Sequence, residues 1–238
     1  MSTWKEIRTW PRAEMMKRVA RFGRLKGSDG GLPDSPLPEC RRTLYAVIGF
    51  QPPKSDEASV TSPVGDDASS MPAIPIAEGF DLGYCKAKPG KGPLMHNHDT
   101  NETFIAMTGR WRCEWNEGRA KQHVDLNPYD VISLPVGVAR RFMNVTYDEP
   151  GKEHLLMFII GGNEPQAEFT PLAMQRCEEW QREQAASPAP QRRSSSPARG
   201  PRTGSLRAAR PRQRPSIAQS DGSARSARQR TRTRRAGT

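Results

Sequence analysis

The chain has 238 residues and a formal net charge of +11, a balance that suggests a nucleic-acid or membrane partner. The charge is unevenly distributed: residues 187–238 hold 14 arginines, no lysine and a single acid, Asp221, so this stretch alone carries +13. The first 186 residues hold 23 basic and 25 acidic residues. The overall charge therefore says little about function, which we look for in a near-neutral domain long enough to bury a core.

Composition excludes several classes of protein. No stretch approaches the roughly 18 apolar residues of a membrane span, and the longest apolar run, residues 155–160, has the length of a strand. The first residues lack the apolar stretch of a signal peptide, so we expect a cytoplasmic protein with no membrane partner. Cysteines 40, 85, 113 and 177 are widely spaced, which predicts free thiols rather than a disulfide framework or a zinc site.

Residues 1–79 predict a helix, a strand and long loops. Met15, Val19 and Phe22 are spaced by four and three residues, which predicts a helix over residues 14–25. Residues 26–38 are rich in Gly, Pro, Ser and Asp and predict a loop. Residues 43–50 predict a strand, and the polar residues 52–75 predict a long, partly disordered surface loop.

From residue 80 the pattern changes to short strands, each followed by a turn signal and repeated about every 8–12 residues. They cover residues 80–88, 94–98, 103–108, 111–115, 122–126, 131–134, 139–145 and 154–160. Eight short strands without a long helix between them predict an all-β sandwich or barrel over residues 80–162. Residues 163–186 form a C-terminal segment, with a closing helix predicted over residues 171–186.

Residues 187–238 are rich in Arg, Ser, Pro and Ala and contain no aromatic residue. Such a segment cannot bury enough apolar surface to fold, and disorder is expected. Two interpretations stay open: an arm that binds nucleic acid, or a solvated extension without a selected role. The absence of lysine and of aromatic stacking platforms favours the second.

The chemistry-bearing residues lie between positions 90 and 109. His96 and His98 are two residues apart on a predicted strand, so their side chains project from one face. Glu102 follows four residues later. Two imidazoles and one carboxylate can hold a divalent metal ion and leave coordination positions open for a substrate and dioxygen. Such donors favour Fe(II), with Mn, Ni or Zn as alternatives.

Gly90, His96, His98, Glu102 and Gly109 fill every fixed position of G-x5-H-x-H-x3,4-E-x6-G, the first motif of the cupin family. The chain therefore resembles the cupins. The resemblance is close over residues 80–162, loose over residues 1–79 and absent from the tail.

The second cupin motif, G-x5-P-x-G-x2-H-x3-N, is matched only in part. Pro135, Gly137 and Asn144 agree with it, whereas Tyr129 takes the place of its first glycine and Arg140 the place of its histidine. In metal-binding cupins that histidine usually completes the set of ligands. The resemblance implies a cupin-type double-stranded β-helix (a jelly-roll barrel) with residues 1–79 packed on it, a small-molecule ligand and a homodimer.

An arginine has only hydrogen-bond donors and cannot ligate a metal ion, so three arrangements stay open. In the first, the three residues of the first motif hold the ion alone, and Arg140 clamps an anionic group of the substrate. In the second, His123 or His154 replaces the missing ligand. In the third, Arg140 pairs with Glu102 and no metal binds.

The leading hypothesis is a metal-binding cupin that acts as a mononuclear non-haem iron dioxygenase on a small anionic or oxygen-chelating substrate. Glu102 and Arg140 are then the candidate catalytic residues, with Arg140 also binding the substrate. A non-catalytic small-molecule binder or sensor without metal is the first alternative. The second is an isomerase or lyase that uses Glu102 as a base.

Overall fold

The computed structural model describes residues 7–50, 60–67, 69 and 71–186. The strands in these ranges are β1 (Thr43–Ile48), β2 (Val60–Thr61), β3 (Phe80–Ala87), β4 (His96–His98), β5 (Glu102–Ala106), β6 (Trp111–Trp115), β7 (Gln122–Leu126), β8 (Val131–Leu134), β9 (Arg140–Asn144), β10 (His154–Gly161) and β11 (Ala167–Phe169). The helices are α1 (Arg12–Met16) and α2 (Pro171–Ala186), and short 3-10 turns cover Phe22–Arg24, Pro38–Cys40 and Gly118–Ala120.

The strands form two sheets with antiparallel pairing, ordered β1-β3-β10-β5-β8 and β2-β11-β4-β9-β6-β7. Between β3 and β10 the pairing is nested: β3 pairs with β10, β4 with β9, β5 with β8 and β6 with β7. Successive strands therefore wind around the barrel and return, which is the topology of a jelly roll. The predicted all-β, cupin-type barrel is confirmed.

The core between the sheets is formed by side chains at every second position of the long strands. In β3 and β10 every second residue is buried, as expected for strands with one face turned inward. Phe104 and Trp111 both pack edge-on against Phe142, with ring centroids 5.0 and 6.0 Å apart, and Phe158 packs in the same way on Phe50 at 5.9 Å. These large rings fill part of the barrel and leave a hollow beside the predicted site.

The N-terminal region differs from the sequence prediction. The helix predicted over residues 14–25 is wrong, because α1 ends at Met16 and only the turn Phe22–Arg24 follows. Met15 and Val19 are exposed, whereas Phe22 packs against the rings of Tyr45 and Tyr84, so one predicted helical face is not buried as a unit. Helices much shorter than about 12 residues are marginal without packing, which explains the short α1.

The predicted loop over residues 52–75 is also wrong in part. β2 lies within it and extends the second sheet by pairing with β11. Val64 and Ile74 are buried, and Ile74 bridges to Ile48 at the end of β1. A strand of two residues is too short for its alternation to be visible. Residues 51–59, 68 and 70 lie outside the described part of the chain.

Near the C-terminus, β11 was not predicted, whereas α2 has the predicted bounds. All four cysteines are free, as expected. Among the described helices, neither has the length and hydrophobicity to cross a bilayer. The predictions for residues 187–238 fall outside the described residues.

Candidate metal centre

His96 and His98 lie on β4, between β11 and β9 in the second sheet. Both side chains are buried on the inner face, with ring centroids 5.1 Å apart. Phe169 is the cross-strand partner of His96, and Ala167 that of His98. The unpredicted strand β11 therefore supports both histidines from the side.

Hydrogen bonds to the backbone orient both imidazoles. His96 Nδ1 lies 2.9 Å from the carbonyl oxygen of Leu94, and His98 Nδ1 lies 2.8 Å from that of Gln166. A carbonyl oxygen only accepts, so each Nδ1 carries the proton and donates it. In the neutral ring, each Nε2 then has a free lone pair, the usual arrangement for a histidine that binds a metal ion.

Glu102 reaches the same point from the opposite sheet. It lies on β5, with Leu134 and Ile160 as its cross-strand partners. One donor atom from each of Glu102, His96 and His98 lies within 4.8 Å of the other two. Two histidines from one sheet and a carboxylate from the other thus converge inside the barrel.

The contact between His98 and Glu102 tests whether this donor set fits a metal ion. His98 Nε2 lies 3.3 Å from Glu102 Oε2, and Oε2 has no hydrogen bond of good geometry among the described residues. With the proton on Nδ1, both facing atoms are acceptors. Such a pair is favourable only when a proton or a cation bridges it, so the donor set fits a divalent ion.

The charge states also suit metal binding. Burial lowers the pKa of His96 to about 4, with a further contribution from His98, so His96 is neutral at neutral pH. Burial alone would raise the pKa of Glu102, but His98, His96 and Arg140 outweigh it and hold that pKa below its usual range. A neutral imidazole and an ionised carboxylate are the forms that bind metal.

Arg140 is fully buried on β9, where its Cα pairs with that of His96. Its Nη2 donates to the carbonyl oxygen of Pro135 at 3.1 Å, and its Nε lies 3.7 Å from Glu102 Oε2. Within the described residues, Nε and Nη1 have no hydrogen-bond partner. Burial lowers the pKa of Arg140, and Glu102 opposes this effect. Two nitrogens of the guanidinium thus make no hydrogen bond to the described residues, and one of them, Nε, lies near Glu102.

A cavity of about 30 Å³ opens beside the donor set. Its wall includes His96, His98 and Glu102, and also Leu32, Arg42 and Leu44 from the N-terminal region. The cavity has room for water or a small ligand beside the metal position. Arg140 is not part of this wall and adjoins it through Glu102.

Sequence reasoning missed two functional candidates, Asp34 and Arg42. Asp34 Oδ1 accepts a hydrogen bond from Arg42 Nη2 at 3.0 Å, and Asp34 Oδ2 accepts from the Leu94 N–H at 2.9 Å. Because His96 Nδ1 donates to the Leu94 carbonyl, a chain of hydrogen bonds joins Arg42 to His96. Position 34 lies in a Gly/Pro-rich loop, and no periodicity marks it.

The other histidines do not replace the missing ligand. His123 is exposed on β7, and His154 is buried on β10 with its Nε2 3.1 Å from Glu149 Oε2. Among the described residues, the only three-residue group of potential ligands consists of His96, His98 and Glu102. The second arrangement considered from sequence is therefore wrong. Arg141 faces outward as expected, with Nε 2.6 Å from Glu114 Oε2.

No protein-family model matches the chain, and no curated protein matches it. Among solved structures, an oxalate oxidase aligns over 72% of this chain and 73% of its own, with 13% identity and a TM-score of 0.43. A vicilin from Corylus avellana (hazelnut) aligns over 61% of this chain and 38% of its own, with 14% identity and a TM-score of 0.39. A recombinant oxalate oxidase with glycolate aligns over 40% and 47%, with 17% identity and a TM-score of 0.35.

The chain thus spans less than half of the hazelnut vicilin and of the glycolate-bound oxalate oxidase. The fold is assigned from two observations. They are the nested pairing of the strands from β3 to β10 and the first cupin motif. The fold is cupin-type. The buried His-His-Glu group lies where that fold brings β4 and β5 together across the barrel.

Proposed function

We propose that the barrel binds one divalent metal ion through Nε2 of His96, Nε2 of His98 and the carboxylate of Glu102. The observation that carries this proposal is the pair of Nδ1 hydrogen bonds to backbone carbonyls, which leaves both Nε2 lone pairs near a carboxylate oxygen that accepts no hydrogen bond from the described residues. A hydrogen-bonded Nδ1 fixes the tautomer and the ring orientation that a metal ligand needs.

We further propose a dioxygenase-type reaction on a small anionic or oxygen-chelating substrate. Two histidines and one carboxylate leave coordination positions open, and an iron ion would supply redox chemistry there. The three proposed ligands are buried, and the cavity beside them has room for a small ligand. Arg140, which adjoins the cavity through Glu102, donates to an anionic group of the substrate, whereas the charge of Arg42 in the cavity wall is compensated by Asp34.

A second candidate is a metal-free barrel that binds a small molecule without turnover. The 3.7 Å contact between Arg140 Nε and Glu102 Oε2 favours it, because the guanidinium charge already compensates the buried carboxylate. In this alternative, the histidines hold a polar ligand by hydrogen bonds.

Metal loading separates the two candidates. Untagged protein is incubated anaerobically with Fe(II), Mn(II), Ni(II) or Zn(II), desalted and analysed for metal per chain. We expect one ion per wild-type chain and a loss of at least about tenfold in affinity for His96→Ala and His98→Ala. His123→Ala, a control that removes an exposed histidine, should bind like the wild type. A wild-type protein that retains none of the four ions would overturn the metal proposal and favour the metal-free binder.

Once the metal is established, dioxygen uptake by the iron-loaded protein with small 2-oxo and dicarboxylic acids tests catalysis. Turnover should fall in Arg140→Gln while one ion per chain is retained. An iron-loaded protein that consumes no dioxygen with any of these acids would contradict the dioxygenase assignment but not the metal site.

A further inference from the structure

A groove of about 530 Å³ lies on the surface next to the barrel cavity, and Arg42 is in the wall of both. Its other charged lining residues are Arg41, Lys88 and Lys91 on the basic side and Asp29 and Glu153 on the acidic side. We call these residues together with Arg42 the basic groove. None of the residues of the metal centre lines it.

The fold fixes the cations of the groove next to one another. β3 ends at Ala87, and the following turn closes with a hydrogen bond from the Lys91 N–H to the Lys88 carbonyl at 3.1 Å. Gly90 adopts φ 76° in this turn, a conformation that favours glycine. The two lysines are then the first and fourth residues of a tight turn, with Cα atoms less than about 7 Å apart.

Arg41 and Arg42 reach the groove from the neighbouring strand. They directly precede β1, whose first residue, Thr43, is the cross-strand partner of Lys86 near the end of β3. The start of β1 and the end of β3 therefore lie side by side. This pairing places two arginines beside the lysine turn.

The groove carries more positive than negative charge. Glu153 is already paired with Lys86 at 3.2 Å, and Arg42 with Asp34 at 3.0 Å. In the described part of the chain, Arg41, Lys88 and Lys91 have no ion-pair partner, and Asp29 is the one remaining acid of the lining. Three cations against one carboxylate leave an excess of two positive charges, which an anion with two negative charges would balance.

Arg42 is the most buried cation of the groove. The side chain of Arg42 is only 4% exposed; Nη1 donates to the Cys40 carbonyl at 2.8 Å and Nη2 to Asp34. Its Nε is buried and has no hydrogen-bond partner in the described residues. This N–H is closed off from the groove, so Arg42 contributes to the wall while its charge is compensated by Asp34.

We propose that the basic groove is a second ligand site, which binds a small dianion such as a dicarboxylate or a phosphate. Arg41, Lys88 and Lys91 hold the anion through their charged side chains, and Arg42 forms part of the groove wall. This site goes beyond the metal centre in the barrel, and its occupancy does not require a metal ion.

Amide chemical shifts of the full-length, metal-free chain test the proposal during titration with malonate, inorganic phosphate and acetate. We expect saturable shifts at Gly90, Lys91 and Thr43 that give one dissociation constant for malonate or for phosphate. The tighter of these two identifies the class of dianion. Acetate, with one charge, should bind about tenfold more weakly or worse.

The Lys88→Ala/Lys91→Ala variant should weaken dianion binding by about tenfold. The matched control, Lys17→Ala/Arg182→Ala, removes two charges from exposed sites outside the groove and should keep the wild-type constant. Thermal unfolding of both variants verifies that each is folded.

Three results would overturn the proposal. The first is the absence of saturable shifts at Gly90 and Lys91. The second is an equal loss of affinity in both double variants, which indicates a general charge effect. The third is a set of shifts centred on His96 and His98 that disappears in Arg140→Gln, which places the anion in the barrel. A failure of metal binding in the barrel leaves all of these results unchanged.

Discussion

His96 and Arg140 are direct cross-strand partners on β4 and β9, and both side chains are buried inside the barrel. The position at which the second cupin motif has a histidine therefore faces the first proposed ligand. An imidazole at position 140 would project towards the same donor set, whereas the guanidinium brings a positive charge there.

Arg140→His should strengthen metal binding. The substitution removes a positive charge beside Glu102 and offers a fourth donor, so we expect affinity to rise by at least about tenfold. Competition with a chromophoric chelator measures this change. Arg141→His is the matched control, because Arg141 is the next residue of β9 and pairs outward with Glu114. Equal or weaker binding by Arg140→His would contradict the prediction.

The buried pair of Asp34 and Arg42 should be strongly coupled. Asp34→Ala leaves Arg42 Nη2 and the Leu94 N–H without their acceptor and the buried guanidinium without its counter-charge, which we expect to cost about 3–5 kcal/mol of unfolding free energy. In Asp34→Ala/Arg42→Leu the uncompensated charge is gone, so the double variant should lose less than the sum of the two single changes. Urea unfolding of the wild type, the two single variants and the double variant measures this coupling energy.

The exposed pair of Glu14 and Lys17 provides a control cycle with the same chemistry at the surface. Its coupling should stay below about 1 kcal/mol. Additive losses at Asp34 and Arg42 would show that the two side chains do not depend on each other.

Asp81 should make the protein more stable at mildly acidic pH. Burial raises the pKa of Asp81 to about 6, although its Oδ1 accepts a hydrogen bond from the Phe50 N–H. The folded pKa lies above the unfolded value of about 3.9, so the folded state binds the proton more tightly. The stabilisation from protonated Asp81 is complete below about pH 4 and is lost as the pH rises through about 6.

Asp81→Asn should remove this dependence. We expect the difference in unfolding free energy between variant and wild type to change by about 2 kcal/mol from pH 4 to pH 7.5, measured by urea unfolding. The exposed Asp29→Asn serves as the control. Parallel profiles for wild type and Asp81→Asn would show that Asp81 titrates normally.

The four thiols should be inert in the folded protein. Burial raises the pKa of Cys40, Cys85 and Cys113 to about 12 and that of Cys177 to about 11. Since the thiolate is the reactive form, a disulfide reagent at pH 8 should label none of them within minutes, and all four after denaturation. Rapid labelling of one thiol in the native state would identify a local opening of the structure.

The sequence could predict the strands from Trp111 to Leu134, because each is a short run that is followed by a turn signal. It could also predict His96, His98 and Glu102, since strand periodicity and the first motif are local patterns. Strand β11 escaped prediction because three residues show no period. The helix over residues 14–25 failed because Met15 and Val19 stay exposed and only Phe22 of the three spaced apolar residues packs against other rings.

The remaining parts of the site depend on contacts between distant residues. Gln166 supplies the carbonyl for His98 from 68 positions away, and Asp34 supports Leu94 from 60 positions away. No local pattern encodes such pairs. Dimerisation, the role of Arg140 as a substrate anchor and nucleic-acid binding by residues 187–238 stay predictions.

The donor set spans both layers of the barrel, with His96 and His98 on one sheet and Glu102 on the other. An ion bound by all three residues would cross-link the two sheets, because the sheets could not separate without breaking a metal–ligand bond. At about 100 times its dissociation constant, such an ion would add about 2.7 kcal/mol to the stability of the closed barrel. The melting temperature of the protein would then report on the metal supply of its surroundings.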